Sequence, residues 1–304
     1  MPRLHRSLVG VLAVLTSTVL CASQASAAKK AKDLQPPIDK GLRVVSCGHS
    51  FHMFVVPMLK EMAQGAGIEG HDIPAKSGIG GSRVIQHWDV PDENNNVKKV
   101  LKEGGADVLT LAPIWLPEDG IEKFVKLGLE HNPNLRIMVQ EFWLPNDEYH
   151  PVYPLETRKG CDHNATKIEA LTKAQSEYDR DLGALVRSLN TEAGKQSVFL
   201  VPVGQAAIAL RERIVAGTAP GIKTQGDLFR DPWGHAQPPL QVLSGYCHFA
   251  TIYRRSPVGL PVPTLLAKME ISDADKEQLN KLLQELAWEA VVNHPLSGLT
   301  RGSG

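Results

Sequence analysis

The chain is short of the features that most readily betray a function. It has four cysteines in 304 residues, and Cys21 lies in what reads as a leader. The three others, Cys47, Cys161 and Cys247, are odd in number and widely spaced, which excludes a disulfide framework and a zinc knuckle and leaves room for one disulfide of open pairing. No sign of charge predominates: Lys plus Arg and Asp plus Glu both total 33. Bulk attraction to nucleic acid or to a membrane surface is therefore not expected, and a neutral or weakly charged small molecule suits the chain better. Long apolar runs are missing too. The longest, Leu8 to Leu20, is too short and too interrupted by Ser and Thr to span a bilayer, so no membrane insertion is expected once it is removed.

That run has a different reading. Arg3 and Arg6 precede it and Ala25-Ser26-Ala27 follows it, the pattern of an export signal over residues 1–27 with the mature chain starting at Ala28. Leu20 before Cys21 is bulky where a lipoprotein signal has a small residue, which disfavours a lipid anchor. The expectation is an exported protein, periplasmic or secreted. Residues 28–41 are basic and Pro-containing without periodicity, a solvated lead-in, and residues 296–304 read as a flexible tail. The roughly 250 residues between, 42–295, suit one large α/β unit.

Within that unit short apolar runs alternate with helical patterns. Strands are expected at residues 42–47, 71–75, 107–112, 135–141 and 197–202, and helices at 53–64, 96–103, 118–130 and 205–216. Two longer helices carry start signals, Thr166 with Glu169 and Ser272 with Asp275. Alternation of this kind predicts a parallel sheet covered on both faces. Residues 143–164, rich in Pro, Tyr, His and Asp, break the rhythm, as insertions that shape binding sites often do.

Chemistry concentrates at three turns. Cys47-Gly48-His49-Ser50-Phe51-His52 sets a serine between the first strand and its helix, at the sheet edge where open α/β folds bind ligands. Ser50 is read either as a helix cap or as a nucleophile beside backbone N–H groups that suit an oxyanion. Gly80-Gly81 follows the second strand, as a plain turn or as the source of another such N–H. Asp231-Pro232-Trp233-Gly234-His235 supplies a loop imidazole that could take the serine proton. His49, His52, His71, Asp72 and His87 gather early in the chain, but their spacing fits no zinc signature, and neither a metal nor a cofactor is expected.

Taken together, the three turns resemble the blocks of the SGNH (GDSL-type) hydrolases. Gly48-His49-Ser50-Phe51 is similar to the opening block, Gly81 to the oxyanion glycine, Asp231 to His235 to the late Asp-x-x-His block, and Tyr246 to Leu260 to the tail of bacterial exported members. The likeness runs from Leu42 to Pro263. It implies a three-layer α/β/α, flavodoxin-like fold with a mostly parallel five-stranded sheet. It also implies a serine ester hydrolase with Ser50, His235 and Asp231 as catalytic residues, Ser50 and Gly81 as oxyanion donors, and a small-molecule or carbohydrate ester as substrate.

Three departures stand out. His49 replaces the usual Asp, and Asp231 precedes His235 by four residues rather than three, so Asp231, Asp227 or a backbone carbonyl is left to partner the imidazole. Ala112-Pro113-Ile114-Trp115 stands where the Asn-bearing block belongs, with Asn146 or Asn164 as possible substitutes. Loss of one oxyanion donor costs about two to three orders of magnitude in rate, so an inactive binding relative is the alternative. His49, Trp115 and Trp143 are expected to touch substrate, and Trp88, Tyr149 and Tyr153 extend a sugar-stacking wall. The absence of Gly-x-Ser-x-Gly around Ser50 argues against the ordinary α/β-hydrolase fold. Nothing fixes an oligomeric state, the acyl group or the alcohol.

Overall fold

The structure, a computed structural model, describes residues 34–149 and 161–299. The leader-like residues 1–27, Tyr153 and residues 300–304 lie outside the described residues.

Five strands form one sheet in the order β2-β1-β3-β4-β5, all parallel. They are β1 (Val44–Gly48), β2 (Lys76–Gly78), β3 (Val108–Leu111), β4 (Arg136–Gln140) and β5 (Val198–Val201). β1, β3 and β5 are buried at every position, which explains their richness in Val and Leu: a strand covered on both faces has no polar side to alternate with. This is the expected three-layer α/β/α arrangement.

Right-handed crossovers decide the layers. The step from β1 to β2 sends α1 (Val55–Gly65) over one face. The steps back across the sheet put α2 (Val84–Trp88), α3 (Asn96–Lys102), α4 (Asp119–His131) and α5 (Ile168–Glu192) on the other. After β5, α6 (Val203–Val215) leads to α7 (Pro238–Tyr253), which packs against α1, α6 and α9 (Asp273–Asn293). A short α8 (Thr264–Ala267) joins α7 to α9.

The second strand lies further along than the sequence suggests. Residues 72–75 run beside β1, with Val44 N–H donating to the Asp72 carbonyl, but Pro74 has no N–H to give and a regular ladder forms only from Lys76. The Ser272 cap is present: its oxygen accepts from Asp275 N–H at 3.1 Å and its hydroxyl donates to the Asp275 carboxylate at 2.7 Å. The Thr166 cap is not. α5 starts one residue later, with Lys167 as an N-cap whose side chain makes no capping bond.

Residues at both limits of the described region pack on the core. Leu34 and Ile38 pack on the core, Gln35 N–H donates to the Leu299 carbonyl, and Ile38 N–H donates to Tyr253. Leu299 is itself buried, and the Leu296 carbonyl takes the Leu200 N–H. Among the described residues no helix is long and apolar enough to cross a membrane.

Candidate active site

β1 ends in Gly48, and the chain turns at once. His52 and Met53 N–H groups donate to the His49 carbonyl, and α1 begins only at Val55 with Phe54 as its N-cap. Ser50 is therefore not the cap. Its hydroxyl lies 2.9 Å from His235 Nε2.

The imidazole is held by its own loop. Arg230 N–H donates to the His235 carbonyl, Phe229 bridges Ala236, and Gly234 N–H closes a turn onto the Asp231 carbonyl. Gly234 completes that turn at φ 89°, a left-handed conformation, and a Cβ there would lie 2.5 Å from Pro145 Cβ. Within this turn the four-residue spacing suffices: Asp231 Oδ2 stands 2.6 Å from His235 Nδ1, and Oδ1 accepts from the Trp233 and His235 N–H groups at 3.1 and 3.2 Å. Partial burial pushes the Asp231 carboxyl up, but the His235 N–H, the adjacent imidazole and the Trp233 N–H outweigh it and hold the group below the usual carboxylate range. With Nδ1–H donating to the carboxylate, Nε2 presents its lone pair to the Ser50 hydroxyl. That arrangement can remove the serine proton. Asp227 is occupied elsewhere, accepting from the Lys223 and Thr224 N–H groups.

Gly80 and Gly81 form the turn after β2, at the same carboxyl rim as Ser50, and Ile79 N–H donates to the Gly48 carbonyl. Gly81 has φ 61°, a position that favours glycine. His87 fixes this turn from below through Ser77 Oγ at 2.7 Å and Ser82 Oγ at 2.8 Å, and burial brings its pKa down to about 4, so the ring stays neutral. Among the described residues the N–H groups of Ser50 and Gly81 have no acceptor.

The residues expected to meet substrate are placed otherwise. His49, Trp115 and Trp143 are each 1 % exposed, so burial withdraws all three from any sugar-stacking surface. His49 Nδ1 accepts from Phe51 N–H at 3.2 Å. Tyr149 is buried beside Phe142, and Trp88 packs edge-on against Phe124 under Lys98. Asn146 and Asn164 use their amide oxygens on Glu148 and Gly226 N–H groups. His52 and His71 bond Gln140 and Tyr253, and Cys47, Cys161 and Cys247 are free.

Trp143 has a different part. Its ring stacks on Phe51 at 4.7 Å, Phe51 meets His235 edge-on at 4.9 Å, and its indole N–H donates to the Gly234 carbonyl at 3.1 Å. It thus ties the serine turn to the imidazole loop. Trp143→Phe keeps the stacking and loses the hydrogen bond, and should quicken hydrogen exchange in the peptide spanning residues 231–236 by about five- to tenfold. Exchange followed by mass spectrometry checks this; an unchanged rate would mean that the loop holds its place without the indole. Trp233, an aromatic within the Asp-to-His block two residues before His235, is 48 % exposed.

No protein-family model and no curated protein matches the chain. Among solved structures it is similar to a DUF4886 family protein from Bacteroides uniformis, with a TM-score of 0.50 and 16 % identity over 84 % of this chain and 96 % of that one. It is also similar to a proposed SGNH hydrolase from Slackia heliotrinireducens, with a TM-score of 0.42 and 16 % identity over 70 % and 99 %. A gut microbial diltiazem-metabolizing enzyme matches with a TM-score of 0.35 and 13 % identity over 71 % and 47 %. At 16 % identity the likeness to the first of these is one of fold.

Proposed function

We propose that the protein is an exported serine ester hydrolase of the SGNH kind, acting on acyl or acetyl esters of small molecules or carbohydrates. The observation that supports this reading is the unbroken line Ser50 Oγ, His235 Nε2, His235 Nδ1, Asp231 Oδ2, with contacts of 2.9 and 2.6 Å at its two ends. His235 takes the hydroxyl proton as Ser50 Oγ bonds to the ester carbonyl carbon, and Asp231 steadies the imidazolium. The Ser50 and Gly81 N–H groups serve the oxyanion. Collapse of the tetrahedral adduct breaks the bond to the alcohol oxygen, which leaves with the proton from His235. Water, deprotonated by His235, then attacks the acyl-enzyme, releasing the acid and restoring Ser50. Trp233 offers an exposed aromatic face to a sugar beside this centre.

One observation favours a second reading, an inactive or slow binding protein of the same fold. Ala112-Pro113-Ile114 brings no side-chain donor to the rim after β3, and the Trp115 ring is buried. A fluorophosphonate probe separates the two. The hydrolase should take one label on the peptide containing Ser50 and release acetate from acetylated sugars, and Ser50→Ala should take none. Natively folded wild type that stays unlabelled sinks the hydrolase and leaves the binding protein. Export rests on the character of residues 1–27, and the N-terminus of the protein recovered from a producing cell tests it, with Ala28 expected first.

A further inference from the structure

Beneath the serine turn lies a chain of buried polar side chains drawn from three strands. Ser46 on β1, Thr110 on β3, Gln140 on β4 and His52 in the turn itself are each at most 1 % exposed. Gln140 Nε2 donates to the Phe51 carbonyl at 3.1 Å, and Oε1 faces His52 Nδ1 at 2.8 Å. His52 Nε2 lies 2.9 Å from both Ser46 Oγ and Thr110 Oγ1, and Thr110 donates to Ser46 at 2.8 Å.

These contacts have one consistent direction. A carbonyl oxygen only accepts, so the Gln140 amide must point its nitrogen at Phe51 and its oxygen at His52. His52 then carries its proton on Nδ1, and Nε2 accepts the Ser46 hydroxyl proton because Thr110 has already given its own to Ser46. Burial brings the His52 pKa down to about 4, which keeps the ring neutral and the chain intact through the neutral range. Close packing explains Gly48 as well: a Cβ there would come within 2.6 Å of His52 Cδ2. The chain ends on a carbonyl and not on Ser50, so it carries no proton to the reaction.

We propose that Gln140, oriented by His52, is a positioning residue for the nucleophile, because it fixes the carbonyl of the residue next to Ser50 from the floor of the sheet. The proposal rests on the hydrolase reading, and Ser50 is its reporter. Gln140→Met keeps the length of the side chain without its amide, and Gln140→Leu is the alternative if that protein does not fold. Thr110→Val cuts the far end of the same chain and leaves the Phe51 bond in place.

The Gln140 variant should lose about tenfold or more in kcat, with KM and the pH profile kept and the rate of fluorophosphonate labelling reduced in the same proportion. Thr110→Val, compared at an equal loss of Tm, should stay within about threefold of wild type. Hydrogen exchange in the peptide spanning residues 48–54 should quicken in the Gln140 variant and not in Thr110→Val. Wild type that labels while the Gln140 variant labels equally fast overturns the proposal alone. Equal kcat losses in both variants overturn it as well, since they would mark the whole chain as scaffold. Wild type that takes no label overturns the hydrolase reading and the proposal with it.

Discussion

Ser50→Ala and His235→Ala should each lower kcat/KM for ester hydrolysis by about four orders of magnitude or more, and the double variant should fall no further than either alone. The non-additivity matters more than the size. Removing the hydroxyl leaves no nucleophile, removing the imidazole leaves nothing to take its proton, and either loss stops the same step. Asp231→Asn should cost less, about two to four orders, since it leaves the base in place while disturbing its tautomer and the imidazolium formed in the reaction. Folding should suffer little from Ser50→Ala, because Phe54 and not Ser50 stands at the N-cap of α1. Steady-state rates with Tm values alongside read all four proteins. Hydrolysis by Ser50→Ala within about tenfold of wild type would place the chemistry on another residue.

The second large effect concerns stability and pH. Glu141, just past β4, is fully buried, with Oε1 3.2 Å from His294 Nε2 and 3.3 Å from Gln205 Nε2. Asp179 on α5 accepts from Gln175 Nε2 at 2.7 Å. Burial pushes both carboxyls up to about 8, their mutual repulsion adding to it for Asp179, and it brings His294 down to about 4.

The signs differ. A carboxyl whose pKa is raised on folding contributes stability that is complete below its unfolded value, near 4, and lost as pH climbs to about 8. A histidine whose pKa is lowered on folding contributes stability that is complete above its unfolded value, near 6.5, and lost as pH falls toward 4. Between those two unfolded values His294 opposes the carboxyl effect, as do His52 and His87, which burial also brings down to about 4. Above about 6.5 these histidines no longer offset it, so Tm should drop by roughly 5 °C or more from pH 6.5 to 8. Glu141→Gln keeps the volume and removes one ionisation, and should flatten that slope and be more stable than wild type at pH 8. Thermal melts of both proteins across this range are the measurement. Parallel slopes would show that the Glu141 carboxyl does not ionise there.

What could be read in the sequence follows from how local each signal is. β3 and β5 are visible because burial on both faces makes short, mostly apolar runs with no polar side. α7 was not, although it lies against much of the molecule: it is buried all round, so it has no polar side and no helical period to detect. Thr166 and Glu169 mimic a cap at the right spacing, but α5 starts one residue on, after Lys167. Within the candidate site, Ser50, Asp231 and His235 are legible from turn chemistry and family resemblance, and the fold brings these three together. Trp143 stands out by its type, but nothing local records that its ring will be buried. Gln140 gave no sign at all, because its partners are 88 and 89 residues away.

Asp231 and His235 are only four residues apart on one tight hairpin, whereas Ser50 lies 185 residues from His235. Acid and base are thus assembled as a local cartridge, and the fold has a single distant coincidence to arrange, the docking of that cartridge against the end of β1. Gentle heating that loosens the docking would silence the centre while the Asp–His pair is still formed and the sheet still whole, so inactivation would run ahead of melting and reverse on cooling.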